Sequence, residues 1–340
     1  MLALQLGNWF FKDLAIDLGT ANTLIALRGK GIVLCEPSYI SVHTKTRHPV
    51  AIGREAKRML GRTPDTIEVV RPLHGGVIAD FETTMTMLHS FITAVHHRQY
   101  LVRPRMIVGV PSGITQVERR AVRETGELIG ARAVYLVDET LAAALGVGLS
   151  MAEPDGSMIL DIGGGTTEAT VISLGGVVYS RSVRMAGDAM DEAIVQYVKH
   201  KHNVLIGIYT GEMVKLALGS ALPERAPRSM PVRGKDMLSG LPKIVVLTSA
   251  EVYEALQESL RVIVETIMAT LEHTPPELSA DIIDRGIIMT GGGALLPDLD
   301  RRLRAATGLP VTVADAPLFS VVRGVHRLLA DLHLLERVAL

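Results

Sequence analysis

Two stretches of this chain, DLAIDLGTANTLIAL at residues 13–27 and MILDIGGGTTEATVI at residues 158–172, follow one plan. An apolar run ends in an aspartate, a glycine-containing turn with hydroxyl side chains follows, and a second apolar run leads away. Asp17 matches Asp161, Gly19 matches Gly163, and Thr23 matches Thr167. Each stretch reads as a β-hairpin whose tip is rich in glycine, which permits close approach, and in hydroxyls able to donate to an anion. Meeting the same hairpin twice constrains the fold to two similar lobes. A length of 340 residues, beyond what one hydrophobic core usually organises, points the same way.

Tips at equivalent places in two lobes suit a phosphate chain cradled by backbone N–H groups and threonine hydroxyls, with Asp17 and Asp161 holding a hydrated Mg²⁺. Other phosphate motifs are excluded on context. A P-loop needs Gly-Lys followed by Ser or Thr, but Gly29-Lys30 precedes Gly31 and Gly234-Lys235 precedes Asp236. A dinucleotide fingerprint should pass from strand into helix, whereas TEATVISL after Gly163–Gly165 is strand-like. A third turn, MTGGGALLPDL, offers Gly291, Gly292 and Gly293 as a floor for a base or ribose. It is expected to run into a helix with Pro297 in its first turn. Standing alone, such a turn reads as a structural strand-to-helix loop.

Charge and composition narrow the partners. With 35 basic and 36 acidic residues, the chain lacks the basic stripe of a nucleic-acid binder. The single cysteine, Cys35, lies in the apolar IVLCEP and reads as a buried thiol, with no second Cys or His at metal spacing. Apolar residues make up 48%, yet no run approaches the roughly 18 residues of a membrane span, leaving cores, interfaces or a membrane surface to absorb them. In MLALQLGNWFFKD the only Trp and two of five Phe stand together. On a helix, Leu2, Leu6, Trp9 and Phe10 would form a broad apolar face opposite Gln5, Asn8 and Lys12. That suits an interfacial anchor or a terminal segment packed on its own domain.

IDLGTANTLI, GKGIVLCEPS, GVPSGITQVERRAV, DIGGGTTE, AGDAMDEAIVQYV, TGGGALLP and TGLPV follow, in order and over nearly the whole chain, the pattern of a known family. The sequence resembles the actin-like ATPase superfamily and, within it, the bacterial actin homologues. The resemblance implies an α/β actin-like fold of two similar α/β domains, each with a small inserted subdomain, and nucleotide in the interdomain cleft. It places subdomain IA at 1–35, 70–145 and 316–340, IB at 36–69, IIA at 146–183 and 250–315, and IIB at 184–249. It implies ATP and Mg²⁺ as cofactors, bound by Asp17, Gly19, Thr20, Ala21, Asn22 and Thr23, by Asp161, Gly163, Gly164, Gly165, Thr166 and Thr167, and by Gly187, Glu212, Lys215 and Gly291–Gly293. It further implies self-association into filaments at the inner face of the cell membrane, with cell-wall elongation proteins as partners and no nucleic acid. A second membrane contact falls on Tyr100, Leu101 and Val102, flanked by Arg98, Arg103 and Arg105.

Hydrolysis needs a water in line with the γ-phosphate and a group to orient it. Glu139, at a strand-to-helix junction after VYLV, matches the family's catalytic acid, and Thr166 its partner. From the residues alone, the reading is Asp138 capping the helix with Glu139 complementing its dipole, and it is the resemblance that turns Glu139 to catalysis. The family usually reads Glu-Glu-Pro where this chain has Asp138-Glu139-Thr140, and Glu where it has Ile208. Ile208, Glu212 and Lys215 should share one helical face. A small-molecule kinase would need a base facing a substrate hydroxyl, and a chaperone ATPase a C-terminal peptide-binding domain. VHRLLADLHLLERVAL instead reads as one amphipathic helix closing the chain.

Overall fold

The structure is a computed structural model that describes residues 13–95, 103–226 and 228–340. The chain divides into two compact units, one of residues 1–154, 173–177 and 318–340, the other of 155–172 and 178–317.

In the first unit, β1 (Leu14–Leu18) and β2 (Asn22–Leu27) form an antiparallel hairpin with Asp17 opposite Leu24 and Leu18 opposite Thr23. β3 (Gly31–Pro37) extends it. A small sheet of β4 (Ile40–His43), β5 (Pro49–Ile52) and β6 (Ile67–Val70), with α1 (Arg54–Met59), is inserted next. After the short hairpin β7 (Leu73–His74) and β8 (Val77–Ile78) come α2 (Phe81–Val95), β9 (Arg105–Val110), α3 (Gln116–Leu128), β10 (Ala133–Asp138) and α4 (Glu139–Val147). β9 lies parallel to β1, and β10 parallel to β9, giving the order β10-β9-β1-β2-β3.

The second unit repeats that sheet. β11 (Ser157–Ile162) and β12 (Thr167–Ser173) form the antiparallel hairpin, with Asp161 opposite Glu168 and Ile162 opposite Thr167, and β13 (Gly176–Val183) follows. Then come α5 (Gly187–His202), β14 (Val204–Leu205), α6 (Ile208–Leu218), β15 (Ser229–Asp236), β16 (Pro242–Thr248), α7 (Ser249–Glu272), α8 (Pro276–Arg285), β17 (Ile287–Thr290), α9 (Leu299–Thr307) and β18 (Val311–Val313). β17 is parallel to β11 and β18 parallel to β17, so the order β18-β17-β11-β12-β13 matches the first sheet strand for strand. The chain ends in the first unit with α10 (Ser320–Leu328) and α11 (Leu332–Val338).

Each sheet has its own core. β1 and β11 are buried along their whole length, which is why LAIDL and SMILDI are nearly continuous apolar runs rather than alternating ones. Leu14, Ile16, Ile25 and Met106 anchor the first core, and Met158, Leu160, Leu256 and Met289 the second. Burying each such side chain contributes about 1.5–3 kcal/mol. In α7, Val252, Leu256, Leu260, Ile263 and Ile267 form the buried stripe, and a Thr248–Glu251 capping box starts the helix.

The structure corrects four sequence expectations. Helix α9 begins at Leu299, beyond Pro297, because a 3₁₀ turn over Gly292–Leu295 intervenes. The expected single C-terminal helix is two, since the Asp331 carboxylate accepts the Leu334 N–H and starts a new helix there. Cys35 is half-buried on an edge strand, where partial burial beside Glu36 and Asp17 pushes its thiol up. Arg105 belongs to no loop, for it opens β9 and pairs with the buried Asp13 at 3.7 Å. No helix of the described residues is long and apolar enough to cross a membrane. Residues 1–12 and Tyr100–Val102 lie outside the described residues.

Candidate functional site

The first hairpin turn, Gly19–Asn22, is shaped by its own backbone. A Cβ at Gly19 would lie 2.8 Å from the Asn22 carbonyl, so only glycine fits. The Ser38 hydroxyl donates to the Gly19 carbonyl at 2.7 Å and accepts from Thr23 at 2.9 Å, which spends the Thr23 proton inside the fold. Thr20 is held at both ends, with its hydroxyl accepting the Gly76 N–H at 2.9 Å and its carbonyl accepting from Arg71 at 3.2 Å. Ala21 and Asn22 remain half-buried at the tip.

The second turn, Gly163–Thr166, closes through a hydrogen bond from the Gly163 N–H to the Thr166 carbonyl at 2.9 Å. The Thr167 hydroxyl donates to the Met185 carbonyl at 2.6 Å and is fully buried. Both threonines therefore pin their turns, and a donor role toward an anion falls to the tip residues and backbone amides instead. The half-buried Gly163–Thr166 segment offers those groups.

Asp17 and Asp161 occupy the same place in the two sheets, each on the central strand one residue before the last hairpin pair. Both are about nine-tenths buried. The Thr290 hydroxyl at the end of β17 donates to Asp161 at 2.8 Å. The glycines after it serve packing at least as much as any ligand. A Cβ on Gly291 would sit 2.7 Å from the Asp161 carboxylate, and one on Gly293 would collide with Ile162. The third turn is thus pressed against the second, bringing Gly291 and Gly293 to Asp161.

Glu139 opens α4 and is 8% exposed. Its Cγ packs over Gly109, where an added Cβ would lie 3.5 Å away, and Gly109 pairs with Asp17 in the adjoining strand. The first unit thereby places Glu139 beside Asp17. Capping is the work of Asp138, whose carboxylate accepts from Thr140 N–H at 2.9 Å, Thr140 hydroxyl at 2.6 Å, Leu141 N–H at 3.1 Å and Ser112 hydroxyl at 2.6 Å. Thr140, a departure from the family pattern, supplies two of those bonds, neither of which proline could donate. Asp138 is thus the N-cap, and Glu139 is the acid of the first turn.

In the second unit, the Gly187 and Asp188 N–H groups donate to the Gly163 and Gly164 carbonyls at 3.2 and 2.8 Å, seating α5 on the second turn. Lys215 donates to the Gly187 carbonyl at 2.7 Å and pairs with Asp191 at 2.8 Å. Ile208, Glu212 and Lys215 are all half-buried and flank the buried stripe of Gly211, Val214 and Leu218. Ser38, Ser112 and Asp191 escaped the sequence reading, as did the bond from Thr290 to Asp161. Asp191 alone left a signal, an acid at the core-facing position of a helix whose next turns place Ile194 and Val198 there.

Among the described residues no group of three or more His, Cys, Asp or Glu gathers to hold a metal. Asp17 and Asp161 are each, within their own unit, a hard carboxylate of the kind Mg²⁺ takes, filling the rest of its shell from phosphates and water.

Two sheets of one strand order, each presenting an aspartate at the root of a glycine-turned hairpin, define an actin-like protein. The comparisons with known proteins agree. The sequence model for the family described as MreB/Mbl protein matches residues 11–337. Cell shape-determining protein MreB of Escherichia coli strain K12 is 52% identical over 93% of this chain and 92% of its own. Cell shape-determining protein Mbl of Bacillus subtilis is 46% identical over 96% and 98%. The crystal structure of MreB5 of Spiroplasma citri bound to AMPPNP superposes with a TM-score of 0.91 at 36% identity, covering 95% of this chain and 97% of that one. The chain belongs to the MreB/Mbl family.

Proposed function

We propose that this chain binds and hydrolyses ATP and assembles, with nucleotide, into cytoskeletal filaments that set cell shape from the inner surface of the membrane. The observation that carries the reading is the pair of hairpins, Gly19–Asn22 and Gly163–Thr166, each rooted in an aspartate at the same position of an equivalent sheet. A turn of half-buried glycines and small polar residues presents amide donors to phosphate oxygens. Spiroplasma citri MreB5, a structural relative, has been crystallised with AMPPNP and with ADP. Relatives at 52% and 46% identity are named for determining cell shape.

In this reading the tip residues Thr20, Ala21, Asn22 and Gly163–Thr166 bind the phosphates, with Gly187, Glu212, Lys215 and Gly291–Gly293 around the nucleoside. Asp17 and Asp161 would hold Mg²⁺, which when bound neutralises the phosphate charge. Glu139, seated over Gly109 beside Asp17, orients the attacking water and accepts its proton, with Thr166 as the second contact. Residues 36–69 and 184–249 act as the small subdomains.

The membrane part of the reading has a structural correlate. Asp13, which follows the segment 1–12, accepts the Arg105 N–H at 2.9 Å, and Arg105 closely follows Tyr100–Val102. The two segments therefore join the fold at adjacent points. Sedimentation of the purified chain with ATP and Mg²⁺, scored together with phosphate release, tests the proposal. Nucleotide-dependent pelleting with phosphate release supports it, and a monomer inert to ATP overturns it.

A further inference from the structure

Asp191 is 5% exposed and lies in the first turns of α5, among Met190, Ile194 and Val198. A carboxylate there is costly unless it does something that an apolar residue cannot. Its partner is Lys215, one helix away on α6, with the ammonium 2.8 Å from the Asp191 carboxylate and 2.7 Å from the Gly187 carbonyl. Gly187 is the residue whose N–H reaches the Gly163 carbonyl, and the next N–H, of Asp188, reaches Gly164. One unbroken run of polar contacts thus joins a buried acid, a lysine on a second helix, the start of α5 and the second turn. The helices are also close at this level, since a Cβ on Gly211 of α6 would lie 2.8 Å from the Asp191 carbonyl. Lys215 has little freedom to find another seat.

We propose that Asp191 is a positioning residue for nucleotide binding: by holding the Lys215 ammonium on the Gly187 carbonyl it keeps α5 seated on the Gly163–Gly164 turn, and nucleotide affinity falls when its carboxylate is protonated. The proposal rests on the reading that this turn binds the nucleotide's phosphates. It makes Lys215 a clamp on the protein's own backbone.

The charged surroundings set the pH range. Burial raises the Asp191 carboxyl to about 6, the Lys215 cation opposes this, and the Glu212 and Asp188 carboxylates add to it. Lys215 and Glu212 approach from α6, and Asp188 stands on the same helix. α7, also packed on α5, directs its acids elsewhere, Glu254 to Tyr197 and Glu251 to His202. A folded-state pKa above the unfolded one means that the protonated form is the more stable. Acidification through about pH 6 therefore stabilises the fold at this group while unseating the clamp. The two effects have opposite signs, which a merely structural acid would not produce.

The test is calorimetric titration of the full-length protein with ATP and Mg²⁺ from about pH 5 to about pH 7.5, in wild type, Asp191→Asn, Lys215→Met and the double variant, with melting curves alongside. Asp191→Asn should bind roughly a few-fold to tenfold more weakly at the upper pH and lose the acid-side fall in affinity that wild type shows. Its melting temperature should stay level or rise. The double variant should bind no more weakly than Lys215→Met alone. Comparing variants with one ligand removes the nucleotide's own titration. Wild type and Asp191→Asn sharing one affinity and one pH slope overturns the proposal, as does a loss of affinity that only tracks a lower melting temperature. A wild type that binds no ATP at any pH overturns instead the reading beneath it.

Discussion

Asp17 and Glu139 flank one glycine, Gly109, yet their surroundings assign them different work. Asp17 ends a central strand at the root of the hairpin, where a carboxylate can hold a hydrated cation against phosphates. Glu139 opens a helix whose N-cap is Asp138, and its side chain packs over Gly109, the residue paired with Asp17. Glu139→Ala should lower phosphate release by about a hundredfold or more while ATP affinity changes little. Asp17→Ala should weaken ATP binding itself. Single-turnover phosphate release and equilibrium titration separate the two, and equal losses of affinity in both variants would make Glu139 a packing residue. The positions of the aspartates, the glycine turns and the junction acid at strand ends were legible at this scale because the same pattern of apolar run, acid and glycine occurs twice. Thr23 and Thr167 were legible as equivalents but not in their bonding. Their partners, Ser38 and the Met185 carbonyl, lie 15 and 18 residues further on, and no local pattern announces them.

Elements carry Glu139 to its place. α4 crosses α10 with Gly146 and Gly324 at the contact, where a Cβ on Gly146 would strike the Ser320 carbonyl and one on Gly324 the Ala142 carbonyl. Backbone therefore meets backbone, and neither helix can yield by a rotamer change. Gly324→Ala must push α4 away from the core or strain both helices, at a cost of about 1–3 kcal/mol or more. A melting temperature lower by several degrees is expected, together with a loss of phosphate release greater than the loss of ATP affinity, since α4 begins with Glu139. An unchanged melting curve would show that the helices separate freely. The hairpins were readable in advance, since TEATVISL is β-branched, whereas the capping box Thr248–Glu251 that starts α7 was not drawn from the sequence. The third turn was misread because Pro297 suits a first helical turn anywhere. Here a 3₁₀ turn and Asp298, in the left-handed region at φ 61°, come before the helix.

At the scale of the molecule, the duplicated hairpins foretold two sheets of equal order, and both sheets have it. The joining of the two membrane candidates at Asp13 and Arg105 was invisible, because it depends on β1 lying parallel to β9. That pairing places Leu14 opposite Met106 and so brings the chain leaving residues 1–12 next to the chain leaving 96–102. Asp13 secures the junction, contacting Arg105 at 3.7 Å and Arg132 at 3.6 Å while only 1% exposed. If both segments contact the bilayer as proposed, their shared point of departure would let the second bind at a high effective concentration once the first has bound. Filament assembly multiplies the effect along the polymer. Deleting residues 2–11, or changing Leu101→Ser, should each reduce co-sedimentation with anionic liposomes in part. Together they should abolish it, while ATP titration of the double variant matches wild type. Exposed Arg103, next to the second segment, adds attraction to anionic headgroups, so raising salt should weaken the Leu101→Ser variant less than the deletion. Undiminished sedimentation of the double variant would place the membrane contact on another surface.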